Sequence, residues 1–341
     1  MNLMKIEKLN SVGFMLAIGL LIGAYHFFHP IWPISGYLDS PQRSYIADNY
    51  WNFSDSIFRP QTVFYAESVL MPLIGKAIGA SSSLLAYQFY SAVLTVLLMP
   101  IICVAFRSRI VTTKGLIFSI IAFACTFRYL RDYTLGAPDP LVMILLVLAT
   151  CSRPKAMVAC IVLAGLTHFS LTVFALIAVL PLQLLHSRQD EDRSVFQQIK
   201  YAFSAVVLSK VILIGWYYIF DYQLTSRLHL TLEMGSAFFL QRLIENPFQF
   251  FYTPGPFFCA VNIAIFSYFL FKRLYLVCVA QAFALFVCYF VLLITLDGLR
   301  IFSVVVIGAY FNLLVLWFNQ VFKSETTLKN SVIPSTLATP Q

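Results

Sequence analysis

Residues 84–106, 274–296 and 301–322 are three runs of 22 or 23 residues without a single acidic, basic or histidine side chain. At 1.5 Å per residue, each is long enough to cross the ~30 Å hydrocarbon core of a bilayer. Backbone N–H and C=O groups in lipid must be satisfied within the segment, so each run is expected as a helix. The chain is 60% apolar and 11% charged, and further segments obey the same constraint. Charge clusters separate ten of them, near residues 12–28, 84–106, 113–129, 138–152, 156–167, 169–185, 201–219, 256–271, 274–295 and 301–322. The predicted fold is all-α: a polytopic transmembrane bundle of about ten helices, forming one domain over residues 1–322.

The basic residues set its orientation. Alternating sides from a cytoplasmic N-terminus places Lys5/Lys8, Arg107/Arg109/Lys114, Arg153/Lys155, Arg188/Arg193/Lys200, Lys272/Arg273 and Lys323/Lys329 inside, fourteen of the 23 basic residues. Ten of the fifteen acids fall outside. That asymmetry predicts both termini on the cytoplasmic side. Residues 13–28 are followed by His29-Pro30 and no small-residue cleavage site, so they read as a retained first helix rather than a signal peptide. Residues 156–185 lie between two inside-type clusters and must cross an even number of times, yet offer only about fifteen residues per crossing. A hairpin of short helices turning at Thr167-His168-Phe169-Ser170 is expected, and short helices imply a groove or a cavity at the outer face.

Outer loops are read at 29–83, 128–139, 221–255 and 296–300. Within the first, residues 64–80 carry apolar side chains at helical spacing around Met71-Pro72 and predict an interfacial helix. The polar tail, residues 323–341, is expected to be cytoplasmic and without fixed structure. The seven cysteines all fall in apolar segments and read as small buried hydrophobes. The net charge of +8 comes from scattered helix ends, which argues for membrane topology and against a nucleic-acid partner. Neither metal-ligand spacing nor a Gly-rich phosphate loop is present, so no metal or cofactor is expected.

Ionisable groups near the membrane are costly, about 2.5–3.5 kcal/mol each at a helix centre, so those retained there have a partner or a task. Asp39 and Asp48 follow the first helix, placed where a carboxylate could act as a general base; they could equally pair with Arg43 and Arg59. Arg128 and Arg131, at i and i+3 beside Asp132, present planar forks suited to a phosphate or diphosphate. Asp139 stands between Pro138 and Pro140 as a helix-start acid, for which capping alone is an explanation. His168, at the hairpin apex, either donates to a phosphate oxygen or bonds backbone at the helix break. Lys210, in the middle of its segment, either faces a polar cavity or snorkels. Asp297 and Arg300 bracket a tight turn, where they can pair with each other, or Arg300 can hold a phosphate.

Four of these features together resemble the GT-C class of integral-membrane glycosyltransferases. Asp39 is followed by Tyr45-Ile46-Ala47, similar to that family's acid-then-Tyr-x-Ala pattern. The stretch from Tyr65 to Ile74 resembles its "R-x-L-x-P-L" segment, with Glu67 about where a basic residue is common. Gly136-Ala137-Pro138-Asp139 opens a helix as a Gly-x-Pro-Asp run does there. Asp297-Gly298-Leu299-Arg300 is similar to an Asp-x-x-Arg at a late helix entrance. The resemblance implies an enzyme of the bacterial inner membrane that moves a sugar from a polyprenyl-phosphate carrier to a glycan or lipid acceptor at the outer face. It implies inversion, with Asp39 as the base and Asp48 in second place. Arg128, Arg131 and Arg300 become carrier-phosphate ligands. Rival classes are a lipid-linked polysaccharide polymerase or ligase, using outer-loop arginines and residues 221–255, and a flippase or transporter. The latter predicts midplane charges on several helices, whereas only Lys210 sits deep.

Overall fold

A computed structural model describes residues 3–28, 41–60, 67–127, 136–187, 195–223, 241, 244, 254–293 and 298–331. Among these residues there are twelve α-helices, one 3-10 turn at Ala80–Ser82 and no strand. In chain order the helices are α1 (Leu3–Phe28), α2 (Pro41–Asp55), α3 (Leu70–Ala77), α4 (Leu84–Arg109), α5 (Thr113–Thr126) and α6 (Asp139–Cys151). They continue with α7 (Pro154–Thr167), α8 (Phe169–Ser187), α9 (Val195–Ile219), α10 (Pro256–Phe271), α11 (Tyr275–Leu293) and α12 (Gly298–Ser331). Every apolar segment read from the sequence has its helix. Four of them, Leu84–Arg109, Phe196–Ile219, Tyr275–Leu293 and Arg300–Phe322, are long and apolar enough to cross a membrane. Six more apolar helical stretches have 10–17 residues. The molecule is a multi-pass helical membrane bundle.

Its axis is α12. The span Arg300–Phe322 is 94% buried, packed among α5, α6, α8, α10 and α11. A membrane helix that meets protein on all sides needs no lipid-facing stripe, and Val304, Val305, Ile307, Tyr310, Phe311 and Leu314 are all fully buried. Two ends of the bundle are defined by what meets α12. Arg300 lies against Asp139 at the start of α6. At the other end Asn319 donates to the carbonyl of Arg109, 3.0 Å, and the Arg109 guanidinium donates to the carbonyl of Thr150. Consequently α6, α8 and α12 all run from the Asp139 end to the Arg109 end.

The first helix is attached along one face of α4. Pro100, inside α4, has no N–H to give to the carbonyl of Val96, four residues earlier. Gly23 of α1 lies on that carbonyl so closely that a β-carbon there would sit 2.6 Å from the oxygen. Gly19, one turn back, lies against Pro100 itself. Small residues four apart let two membrane helices approach at backbone distance.

The short hairpin is present as expected. α7 ends at Thr167, His168 is extended (φ −163°, ψ 96°), and α8 begins at Phe169. Its apex stops well short of its neighbour α9. Gly165 packs on Ser209 and the Lys210 ammonium lies 4.7 Å from the centre of the Phe169 ring. From Lys210 α9 climbs nine residues further to Ile219, ~14 Å at helical rise. Sequence reasoning leaves a groove above such an apex, but the structure fills it with α2 and α3. Phe53, Ile57 and Val69 pack there with Leu213, Tyr217 and Tyr222 of the α9 end, and with Leu166 and Phe169 of the hairpin.

Two further boundaries differ from the reading of the sequence. The first outer loop contains a fifteen-residue helix, α2, besides the interfacial helix, which is only eight residues long. In place of a tail without fixed structure from residue 323, α12 continues to Ser331; residues 332–341 lie outside the described residues.

Candidate functional site

The Asp139 end sets an acid and a base against each other inside the bundle. Gly136 has φ +84°, the left-handed region that an L side chain rarely adopts. It also touches α2, where a β-carbon at Gly136 would sit 2.6 Å from Cα of Ala47. The Gly136 amide donates to Ser91 Oγ of α4, 2.8 Å, which pins the turn before α6. Helix α6 then starts at Asp139 itself, with Pro140 at its second position.

Capping was one explanation for Asp139. Instead its carboxylate is fully buried, with Oδ2 3.4 Å from Nε of Arg300, whose side chain is 11% exposed. The effective penalty for removing an ion from water in a protein is several kcal/mol, so this pair is a deliberate placement. Arg300 therefore answers to Asp139, 161 positions earlier, and not only to the turn it belongs to. A guanidinium carries five donors in a fixed fork, and the carboxylate on its Nε side orients that fork.

His168 is fully buried at the head of α8. The positions 172, 175 and 179 form one stripe of that helix. Val179 packs on Gly308 of α12, so the stripe faces α12. Because α8 and α12 run in the same direction, seven residues back along each brings Thr172 level with Ile301, next to Arg300. Three helix starts with inward polar side chains (Asp139, His168 with Thr172, and Arg300) thus lie at one end of the bundle. Their N-terminal dipoles add positive potential there.

A second polar group lies on the opposite side of the hairpin apex. Ser170 Oγ donates to Glu67 Oε2, 3.0 Å, and Lys210 covers the neighbouring Phe169 ring. Lys210 thus lies beside the hairpin apex, its ammonium over an aromatic ring. The hydroxyl of Tyr50 donates to Ser68 Oγ, 3.3 Å, and Ser54 Oγ donates to the carbonyl of Pro72, 2.7 Å. Helix α2 thus lies on the Gly136 turn at Ala47 and on the α3 entry at Tyr50 and Ser54. Asp48, between those contacts, is half-buried. On the exposed side, Lys76 Nζ lies 2.7 Å from Asp55 Oδ1. That hydrogen bond and its charge hold the Asp55 carboxyl below its ordinary range.

Asp39, Arg128, Arg131, Asp132 and Asp297 lie outside the described residues. Of the other residues singled out from sequence, Asp139, Arg300 and His168 share the bundle end with Asp48 above them, while Lys210 belongs to the Glu67 group. Sequence reasoning passed over Glu67 as a site residue, and also Ser91 and Thr172. For Glu67 a signal existed, an acid where the resembling pattern has a base. A cavity between α6, α7, α8, α9 and α12, lined by Thr150, Gln183, Gln198 and Gly308 among others, opens toward the Arg109 end, away from this centre. Among the described residues no three His, Cys, Asp or Glu side chains come together as a metal-holding group. No protein-family model, curated protein or solved structure matches this chain.

Proposed function

We propose that the chain is a membrane glycosyltransferase of the GT-C kind, with about ten crossings and the Asp139 end facing outward. It moves a sugar from a polyprenyl-phosphate carrier to a glycan or lipid acceptor. The observation that carries this reading is the buried Asp139–Arg300 pair at the converging starts of α6, α8 and α12, roofed by a helix that bears a half-buried carboxylate. Arg300 and the helix dipoles favour a phosphate at that place. Asp139 orients the charged guanidinium and offsets part of its field. The base comes from the first outer loop, Asp39 or Asp48, and takes the acceptor's proton as its oxygen or nitrogen attacks the anomeric carbon. The bond to the phosphate breaks on the opposite face, the carrier phosphate leaves with the electron pair, and the configuration inverts. The position of Lys210 beside the apex favours this over a transporter, which needs charge on several helices at mid-depth.

The test is transfer of radiolabelled sugar from a polyprenyl phosphate in proteoliposomes. Arg300→Ala, assayed per monodisperse molecule because it breaks the buried pair with Asp139, and one of Asp39→Asn or Asp48→Asn should lose at least 100-fold in turnover, the carboxylate variants eluting as wild type on gel filtration. If wild-type rates survive in both carboxylate variants, the base assignment is abandoned. If Arg300→Ala is also fully active, the transferase reading goes with it.

A further inference from the structure

Five serine and threonine hydroxyls inside the helices of this bundle share one habit. Thr95, Ser119, Thr126, Thr150 and Thr167 each donate back to a carbonyl three or four residues earlier on their own helix. Such back-bonding is how a helix hydroxyl is satisfied where no water is at hand. Among the Ser and Thr hydroxyls of the described residues whose oxygen is wholly sealed from solvent, those of Thr172 and Ser209 have no partner. Ser209 has a packing reason, since it is pressed against Gly165. Thr172 has none. The carbonyl of His168 stands four residues back, already accepting from the Thr172 amide at 3.1 Å, yet the hydroxyl does not turn to it. The side chain is 1% exposed and lies on the stripe that faces α12 at the level of Arg300.

We infer that Thr172 Oγ1 is a ligand-binding hydroxyl of the Asp139–Arg300 centre, donating to an oxygen of the carrier phosphate. This rests on the proposed function and adds to it the residue that fixes the phosphate from the α8 side. A buried hydroxyl without a partner costs stability in the empty protein, and the cost is removed when an anionic oxygen accepts from it. Preorganised donors of this kind lose little on binding, because no bond has to be broken first.

Opposite signs in two measurements test it. Full-length protein in detergent is titrated with farnesyl phosphate and with farnesol, and its thermal unfolding is recorded without ligand. Wild type should prefer the phosphate. Thr172→Val should bind farnesyl phosphate about tenfold more weakly, yet unfold ~1–3 °C higher when empty, because the isosteric change removes an unsatisfied hydroxyl. Thr172→Ser should stay close to wild type in affinity, as should Ser209→Ala. Unchanged affinity in Thr172→Val, a lower unfolding temperature for it, or equal weakness in Thr172→Ser would each overturn the inference and leave the proposed function standing. A wild type that does not distinguish farnesyl phosphate from farnesol removes the proposed function, and this inference with it.

Discussion

The two ends of the bundle handle polar groups in different ways. At the Arg109 end the side chains close helix ends. Arg109 donates to the Thr150 carbonyl, and Asn319 donates to the Arg109 carbonyl while accepting from the Val111 amide, 3.2 Å. Each bond satisfies backbone that α4 and α6 leave open where they stop. At the Asp139 end some side chains also close backbone, as Ser91 and Ser54 do, but others are set against each other: carboxylate on guanidinium, hydroxyl on carboxylate, ammonium on an aromatic ring. Backbone closure needs no charge. Charge gathered where closure is possible without it is the mark of a place that meets something else.

Four measurements can break or sharpen that contrast. Asp139→Ala should have the largest effect, since it breaks the buried ion pair with Arg300, a loss of ~3–5 kcal/mol. The yield of monodisperse protein should collapse, and Asp139→Leu combined with Arg300→Met should recover it while remaining inactive in sugar transfer. A stable, active Asp139→Ala would make the pair an ornament. Asn319→Leu at the other end should cost ~1–3 kcal/mol by thermal unfolding, because the Val111 amide loses its acceptor. Its transfer rate per folded molecule should be unchanged, and a loss of activity would erase the distinction between the ends. Glu67→Ala should cost ~1 kcal/mol for the bond to Ser170, seen as faster hydrogen exchange in α2 and α3 before the rest of the bundle.

The smallest effect belongs to Asp55 and Lys76. A carboxyl whose folded-state pKa is depressed adds stability that is present above its unfolded value, ~3.9, and is lost as pH falls through the folded one. Limited proteolysis between pH 7 and 3 should therefore find α2–α3 loosening only below about pH 4. In Lys76→Met that acid sensitivity should disappear. A transition near pH 6 would point to another group.

Much of the bundle was legible in the sequence, because long apolar runs between charge clusters have few ways to fold. The hairpin break at Thr167-His168 followed from arithmetic, thirty residues for two crossings. Helix α2 went unread because its sequence PQRSYIADNYWNFSD is polar on balance and only fifteen residues long. Its signals were Pro41 at the first position and the spacing of Ala47, Tyr50 and Phe53, the residues that it buries. Nor was the partner of Arg300 legible: Asp297, three residues away, is the nearer choice in sequence, while Asp139 is brought close only by the parallel course of α6 and α12. Thr172 looks like any core threonine. Only the habit of its neighbours makes its hydroxyl informative.

The helix at the centre of the bundle is also synthesised after every helix that packs around it. Until residues 298–322 leave the ribosome, the surrounding helices have nothing to close around, and Asp139 waits in the bilayer without its arginine. Assembly of this protein must therefore finish from the middle, with a late segment entering a ring already in the membrane. A chain truncated before Gly298 would present cellular quality control with a hollow ring and an uncompensated acid.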